Sequence, residues 1–162
     1  MLHNSKLFAA VLALAAACLL TGCLKDTVFY HYEHTPSAGW EKNDPVEFST
    51  GQMAGSGSYQ QQVGLTVSRD YPFRSLTIIV EQRVFHKAAG RAVETLYDRL
   101  DCKLMDSNGN MLGDGISQYQ YLFPLRTLDA EQGDSIAVSI HHDMKREILP
   151  GIINVGMRMS RK

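Results

Sequence analysis

Apolar and polar residues alternate along most of the chain after residue 27, with the period of two that is typical of half-buried β-strands. Val63, Leu65 and Val67 alternate with small or polar neighbours, and residues 76–80 form a β-branched run. The same parity recurs in four later sets: Leu96, Leu100, Cys102 and Leu104; Tyr119, Tyr121 and Phe123; Ile136, Val138, Ile140 and His142; Ile153, Val155, Met157 and Met159. No long helical periodicity follows residue 23.

Turn signals separate these segments. Asn108-Gly109 lies between apolar segments and predicts a tight hairpin, and Pro124 is predicted to end the strand that begins near Tyr119. Residues 49–62 are rich in Gly, Ser and Gln, which leaves the strand limits there open. About eight strands result, and they predict a mainly β protein: a single antiparallel β-sandwich, or jelly-roll-like, domain.

The N-terminus differs from the rest of the chain. One positive charge, Lys6, precedes an unbroken apolar run at residues 7–20. Such a run would be roughly 21 Å long as a helix, shorter than the hydrocarbon core of a bilayer, which is about 30 Å thick. A positive start and an apolar segment of this size are typical of a secretory signal peptide.

Residues 20–23, Leu-Thr-Gly-Cys, resemble the lipobox that a lipoprotein signal peptidase recognises. We therefore predict cleavage between Gly22 and Cys23 and lipid attachment to Cys23; the alternative is an ordinary signal peptide with a chance cysteine. The predicted organisation is a signal peptide at 1–22, a lipidated start and short tether at 23–27, and a β-sandwich domain at 28–162. Because Leu24 is not the aspartate that retains many lipoproteins in the inner membrane, the outer membrane is favoured.

The 162 residues carry a formal net charge of −1, which becomes −2 once the signal and its Lys6 are removed. A charge this close to zero argues against a nucleic-acid partner. Cys102 would be the one thiol left in the mature chain, so no intramolecular disulfide is expected.

The predicted strands do not bring potential metal ligands together on one face. His31 and His34 would lie on opposite faces of a strand, as would the adjacent His141 and His142. Asp106, Asn108 and Asn110 fit the first ligand positions of a calcium loop, but position 12 lacks the glutamate, and a hairpin turn explains them equally. We predict no metal and no cofactor.

Catalytic chemistry has no clear candidate either. Cys102 shares its strand face with leucines, where a thiol has a raised pKa, and no Gly-x-Ser-x-Gly elbow is present. We therefore predict no catalytic residues. Trp40 is interpreted mainly as a core residue, whereas Tyr119 and Tyr121, on one strand face, are candidates for a binding surface.

Four stretches of the mature chain, taken in order, form a further pattern: Tyr32-Glu33-x-x-Pro36-x-x-Gly39-Trp40-x-Lys42-x-Asp44-x-x-x-Phe48; Val63-x-Leu65-x-Val67-x-Arg69-x-x-Tyr71-x-Phe73-x-x-Leu76; Leu104-x-Asp106-x-x-Gly109-x-x-Leu112-Gly113-x-Gly115; and Ile140-x-His142-x-Met144-x-x-x-x-x-Leu149-x-Gly151-Ile152-x-x-Val155-Gly156. In these stretches the chain resembles the GldH family of gliding-motility lipoproteins. The resemblance implies an outer-membrane lipoprotein of the gliding apparatus, which is linked to type IX secretion, and it implies no catalytic residues.

Together these observations predict a non-enzymatic envelope lipoprotein. It would be anchored to the membrane through Cys23, on the periplasmic face of the outer membrane, with other gliding-motility or secretion proteins as partners. The alternative is a surface lipoprotein that binds glycans, which would present exposed aromatic side chains on one face.

Overall fold

Eleven β-strands make up the regular structure in the computed structural model, which describes residues 27–88, 90 and 92–162. The predicted signal peptide, its cleavage site and Cys23 lie outside the described residues. The strands are β1 (Thr27–His34), β2 (Trp40–Glu41), β3 (Val46–Gln52), β4 (Gly57–Ser68), β5 (Ser75–His86), β6 (Ala92–Lys103), β7 (Asp114–Gly115), β8 (Gln118–Ala130), β9 (Ser135–His142), β10 (Ile148–Leu149) and β11 (Ile152–Arg161).

The strands form two sheets that pack face to face. A five-stranded sheet, called here the large sheet, has the order β1-β11-β4-β8-β7, and a four-stranded small sheet has the order β3-β9-β5-β6. All pairs are antiparallel, and β2 and β10 form a short ribbon. The eight long strands, four in each sheet, have the connectivity of a jelly roll. The predicted fold class is confirmed.

The core lies between the sheets and follows the alternation of the sequence. Val63, Leu65 and Val67 of β4 point inward from the large sheet, and the alternating positions of β9 do so from the small sheet. Trp40 is 0% exposed, and its indole Nε1 donates to the Asp44 carbonyl oxygen at 2.9 Å. The interpretation of Trp40 as a core residue is confirmed.

Two local predictions were wrong. β8 continues through Pro124 to Ala130, because Pro124 lies next to a register shift in β4 and beyond the two residues of β8 that β7 covers. A register shift after Ile152 puts Ile152, not Ile153, in the core.

Candidate functional site

The outer face of the large sheet is organised in rows that run across the strands. A central row is flanked on both sides by rows of larger or polar side chains. The central row contains Tyr32, Gly156, Gly64 and Leu122; one flanking row contains Tyr30, Arg158, Gln62 and Pro124; the other contains His34, Asn154, Thr66, Gln120 and Asp114. The two glycines in mid-row leave a trough across the sheet.

The ring of Tyr32 lies in this trough, directly over the backbone of the glycines. A Cβ on Gly156 would lie within 2.6 Å of three ring atoms of Tyr32, and a Cβ on Gly64 would overlap the Tyr32 hydroxyl. Only glycine at both positions allows the ring to pack this closely against the sheet. We call Gly64 and Gly156 the glycine bed.

Tyr30 stands beside Tyr32 on the same face of β1. The two rings are in an edge-on arrangement with centroids 5.3 Å apart, and Tyr30 is 60% exposed. Burial, together with the neighbouring Tyr30, raises the pKa of Tyr32 to about 12, against an opposing effect of Arg158. The Tyr32 phenol is therefore neutral at physiological pH.

A groove of about 350 Å³ runs from these tyrosines toward β7 and β8. Tyr30 and Tyr32 line one end, and Leu112, Asp114 and Leu122 line the other. Its volume is at the small end of the range for ligand sites, about 300–1,000 Å³. Sequence reasoning missed this site because it depends on Gly64 and Gly156, on two different strands, lying opposite Tyr32.

Tyr119 and Tyr121, the tyrosines singled out from the sequence, point inward from β8 and are each 7% exposed. The Tyr121 hydroxyl donates to the Leu104 carbonyl oxygen at 2.8 Å, and the Tyr119 hydroxyl donates to that of Ile116 at 2.7 Å. Arg69 donates to the Tyr119 hydroxyl at 2.8 and 3.0 Å. Their alternation put both on one face, as expected, but that face is turned to the core. They hold the segment between β6 and β8; Tyr121 also lines the groove beside Tyr32, and Tyr119 lines a second pocket with Arg69. Their part in a binding surface stays a prediction.

The predicted hairpin at Asp106 is closed by its own side chain. The Asp106 carboxylate accepts from the backbone N–H groups of Asn108 and Asn110 at 2.8 and 2.9 Å, and from the Asn110 amide at 2.9 Å. The Asn110 side-chain hydrogen bond holds the pKa of Asp106 below its usual range. A turn thus accounts for these residues. Within residues 27–88, 90 and 92–162, no three His, Cys, Asp or Glu side chains are grouped to hold a metal ion.

The described histidines lie in separate environments. His142 is buried, with a ring nitrogen 3.2 Å from the Trp40 carbonyl oxygen, and burial lowers its pKa. His31 pairs with Glu33 at 2.8 Å, and His86 lies 3.1 Å from Asp134. The Cys102 thiol is buried, and burial raises its pKa to about 12, as its position among leucines predicted.

The described residues thus define a β-sandwich protein of the jelly-roll type with a groove on one sheet face. The family model described as GldH lipoprotein matches residues 27–159. The chain belongs to the GldH lipoprotein family, so it is a lipoprotein associated with gliding motility. This family is not a known enzyme family. No described segment forms a helix that could cross a bilayer.

Comparisons outside the family give little further information. No curated protein matches the chain. An aminopeptidase from a marine-sediment Thaumarchaeota archaeon is similar in structure with a TM-score of 0.35 and 12% identity, over 73% of this chain and 24% of the aminopeptidase. A protein from Sulfurospirillum deleyianum has a TM-score of 0.46 and 11% identity, over 83% of this chain and 98% of that protein. The globular domain of zebrafish complement 1qA has a TM-score of 0.39 and 8% identity, over 85% and 99%. Likenesses this weak assign no function.

Proposed function

We propose that this protein is a non-enzymatic accessory component of the gliding-motility apparatus, within the part linked to type IX secretion. It would work from the periplasmic face of the outer membrane, held by lipid on Cys23. The observation that carries the proposal is the family match, which covers nearly all of the chain after the lipobox.

The position of β1 supports a mechanism based on placement. β1 begins at Thr27, four residues after Cys23, so the tether is at most about 14 Å long when fully extended. A domain on so short a tether stays in a thin layer beside the membrane. Its effective concentration for partners in the same membrane is therefore high.

The position of Thr27 supports an orientation in which its end of the sandwich faces the membrane. Thr27 pairs with Ser160 near the end of β11, and Lys162 donates its backbone N–H to Ser58 at 2.9 Å. The loops at residues 53–56 and 131–134 lie at this same end. The long segment between β6 and β8 lies at the opposite end, where it would be available to partners further from the bilayer.

Lipid attachment is tested by replacing the acylated cysteine. Cys23→Ser should abolish incorporation of labelled palmitate and move the protein from the membrane to the soluble fraction. Cys102→Ser, which changes a buried thiol in the sandwich, is the matched control and should leave labelling unchanged. A Cys23→Ser protein that fractionates with the membrane as before would refute the proposed anchor.

The accessory role is tested by crosslinking in intact cells, followed by identification of what is bound. Recovery of gliding or secretion proteins with the native protein, and their loss with Cys23→Ser, is the expected result. A strain whose gliding and type IX secretion are both unchanged after deletion of the gene would contradict the role even if the anchor is correct.

A further inference from the structure

We propose that the outer face of the large sheet binds a neutral glycan chain, with pyranose rings stacked on Tyr30 and Tyr32 and their hydroxyls hydrogen-bonded to the flanking amides. This site adds a ligand to the protein and stands on geometry alone. It does not depend on which machinery the protein serves.

The first step of the argument is the way the tyrosines are presented. One face of the Tyr32 ring packs on the glycine bed, and the ring lines the groove, as does the 60%-exposed Tyr30. Exposing this much of a large aromatic side chain to water is energetically unfavourable. The negative π-face of a phenol suits the weakly positive C–H groups of a sugar ring.

The second step is the chemistry around the tyrosines. Gln62, Gln120 and Asn154 flank the trough, and each amide carries both donors and an acceptor, as a sugar hydroxyl requires. Among the described side chains, Oδ1 of Asn154 is a buried acceptor without a hydrogen-bond partner. Turning this amide outward would offer the acceptor to a ligand hydroxyl.

The outer face of the small sheet provides an internal comparison. The side chains that its strands place outward include Glu47, Glu81, Arg83, Arg99 and Asp101, interspersed with uncharged residues such as Thr77, Ile79 and Ser139. The large sheet instead combines amides, tyrosines and leucine, with Arg158 and Asp114 as isolated charges along its rows. The charged side chains of the small sheet favour contact with water and ions, whereas the amides and tyrosines of the large sheet favour an uncharged ligand rich in hydroxyls.

Two sources could supply such a glycan: the N-acetylated strands of the cell wall and a polysaccharide outside the cell. The probes are therefore chitohexaose for the first source and cellohexaose and laminarihexaose for the second, titrated calorimetrically into the lipidated protein in detergent. Binding of either kind supports the site, and the preferred probe identifies the source.

The decisive variant is Tyr30→Ala, which removes an exposed ring without opening the core. We expect it to weaken saccharide binding roughly tenfold or more. Tyr97→Ala is the matched control, since Tyr97 is 65% exposed and lies on the outer face of the small sheet. Equal affinity in these two variants, or no binding of any of the three probes, would overturn the proposal.

A second pair of variants addresses the ring in the glycine bed. Tyr32→Phe keeps the stacking surface and should bind within about twofold of the native protein, whereas Tyr32→Leu fills the trough without a π-face and should bind as weakly as Tyr30→Ala. Folding is checked in each case by the β-sheet circular dichroism signal. A well-folded Tyr32→Leu protein with native affinity would count against stacking.

Discussion

At the scale of single residues, the feature with the largest expected effect on stability is a pair of amides inside the core. Gln61 of β4 and Gln82 of β5 are both 0% exposed and exchange two hydrogen bonds between the sheets, at 2.8 and 3.0 Å. Gln82→Met would leave the Gln61 amide buried and unpaired. We expect a loss of about 1–3 kcal/mol in the free energy of unfolding, measured by urea denaturation.

The double variant distinguishes pairing from packing. Gln61→Met with Gln82→Met removes both polar groups together and should cost less than the sum of the two single changes. Gln60→Met, an exposed change on the same strand, should stay within about 0.5 kcal/mol of the native protein. If the double variant loses as much as the single losses combined, the two amides do not act as a pair.

The thiol of Cys102 should report unfolding. It is buried, and its pKa of about 12 keeps it protonated at neutral pH, so a thiol reagent needs an opened sandwich to reach it. We expect labelling of the native protein to be slow and to accelerate in step with urea unfolding. Fast labelling of the folded protein would show that this end of β6 opens locally.

Residue types predicted some of these positions and not others. Trp40 and Cys102 are apolar enough to be assigned to the core from their neighbours in the sequence alone. Gln61 and Gln82 lie 21 residues apart and each looks like a surface residue. Their burial depends on a partner in the opposite sheet, and single-sequence patterns carry no information on that pairing.

At the scale of elements, one buried carboxylate joins the turn between β8 and β9 to the hairpin between β5 and β6. Asp134 accepts from the backbone N–H groups of Glu131 and Lys87 at 3.0 and 2.9 Å, and it contacts His86 at 3.1 Å. Burial pushes the pKa of Asp134 upward, but these hydrogen bonds outweigh it and lower the pKa. The hydrogen bond to Asp134 raises the pKa of His86, which Glu94 also contacts at 3.5 Å.

These two shifts give a pH dependence of stability with a definite sign. The raised pKa of His86 stabilises the fold fully below the ordinary value of 6.5, and this contribution is lost as the pH rises through the folded-state pKa. The lowered pKa of Asp134 stabilises the fold above 3.8, and this contribution is lost as the pH falls through its folded-state pKa. Between those two values both contributions are present.

We therefore expect the free energy of unfolding to decrease as the pH is raised from about 6 to 9, and the decrease to be smaller in His86→Gln. Denaturant titrations at a series of pH values measure it. His34→Gln, at the exposed end of β1, should retain the native decrease. Parallel curves for the native protein and His86→Gln would show that this contact does not stabilise the fold.

The elements themselves were largely predictable because alternation is a local property. The inward positions of β4, β6, β9 and most of β11 follow the sequence pattern. Pro124 and Ile152 did not follow it, since the register shifts beside them depend on how neighbouring strands pair. Local patterning identifies a strand but not an irregularity imposed by its partner.

At the scale of the whole molecule, the length of the tether is the quantity to vary. Inserting a 20-residue Gly/Ser linker between Asp26 and Thr27 would let the domain reach about 25 Å further on average. We expect membrane fractionation to be unchanged and the crosslinking yield with membrane-bound partners to fall, because the effective concentration falls with tether length.

The same linker added after Lys162 serves as the control, since it lengthens the chain at the Thr27 end without moving the sandwich away from its anchor. Its crosslinking yield should match that of the native protein. An undiminished yield with the longer tether would indicate that confinement close to the bilayer is not how the protein finds its partners.

The sandwich could be predicted from the sequence and the anchor at Cys23 stays a prediction, whereas the candidate binding face could not be predicted. Tyr30 and Tyr32 are adjacent on one face of β1, but Gly64 and Gly156 lie far along the chain. Their meeting required the order β1-β11-β4 and its register. The tyrosines that alternation did single out, Tyr119 and Tyr121, belong to the opposite face of the same sheet.

The direction of the trough has a consequence for how anchored molecules would act together. Its central row crosses the strands at right angles. If the Thr27 end faces the bilayer, the trough therefore runs parallel to the membrane surface. A polymer held there would extend sideways and pass from one molecule to the next. Several weak sites on one polymer would together bind it tightly, yet each site could dissociate and rebind as the polymer moves along the membrane.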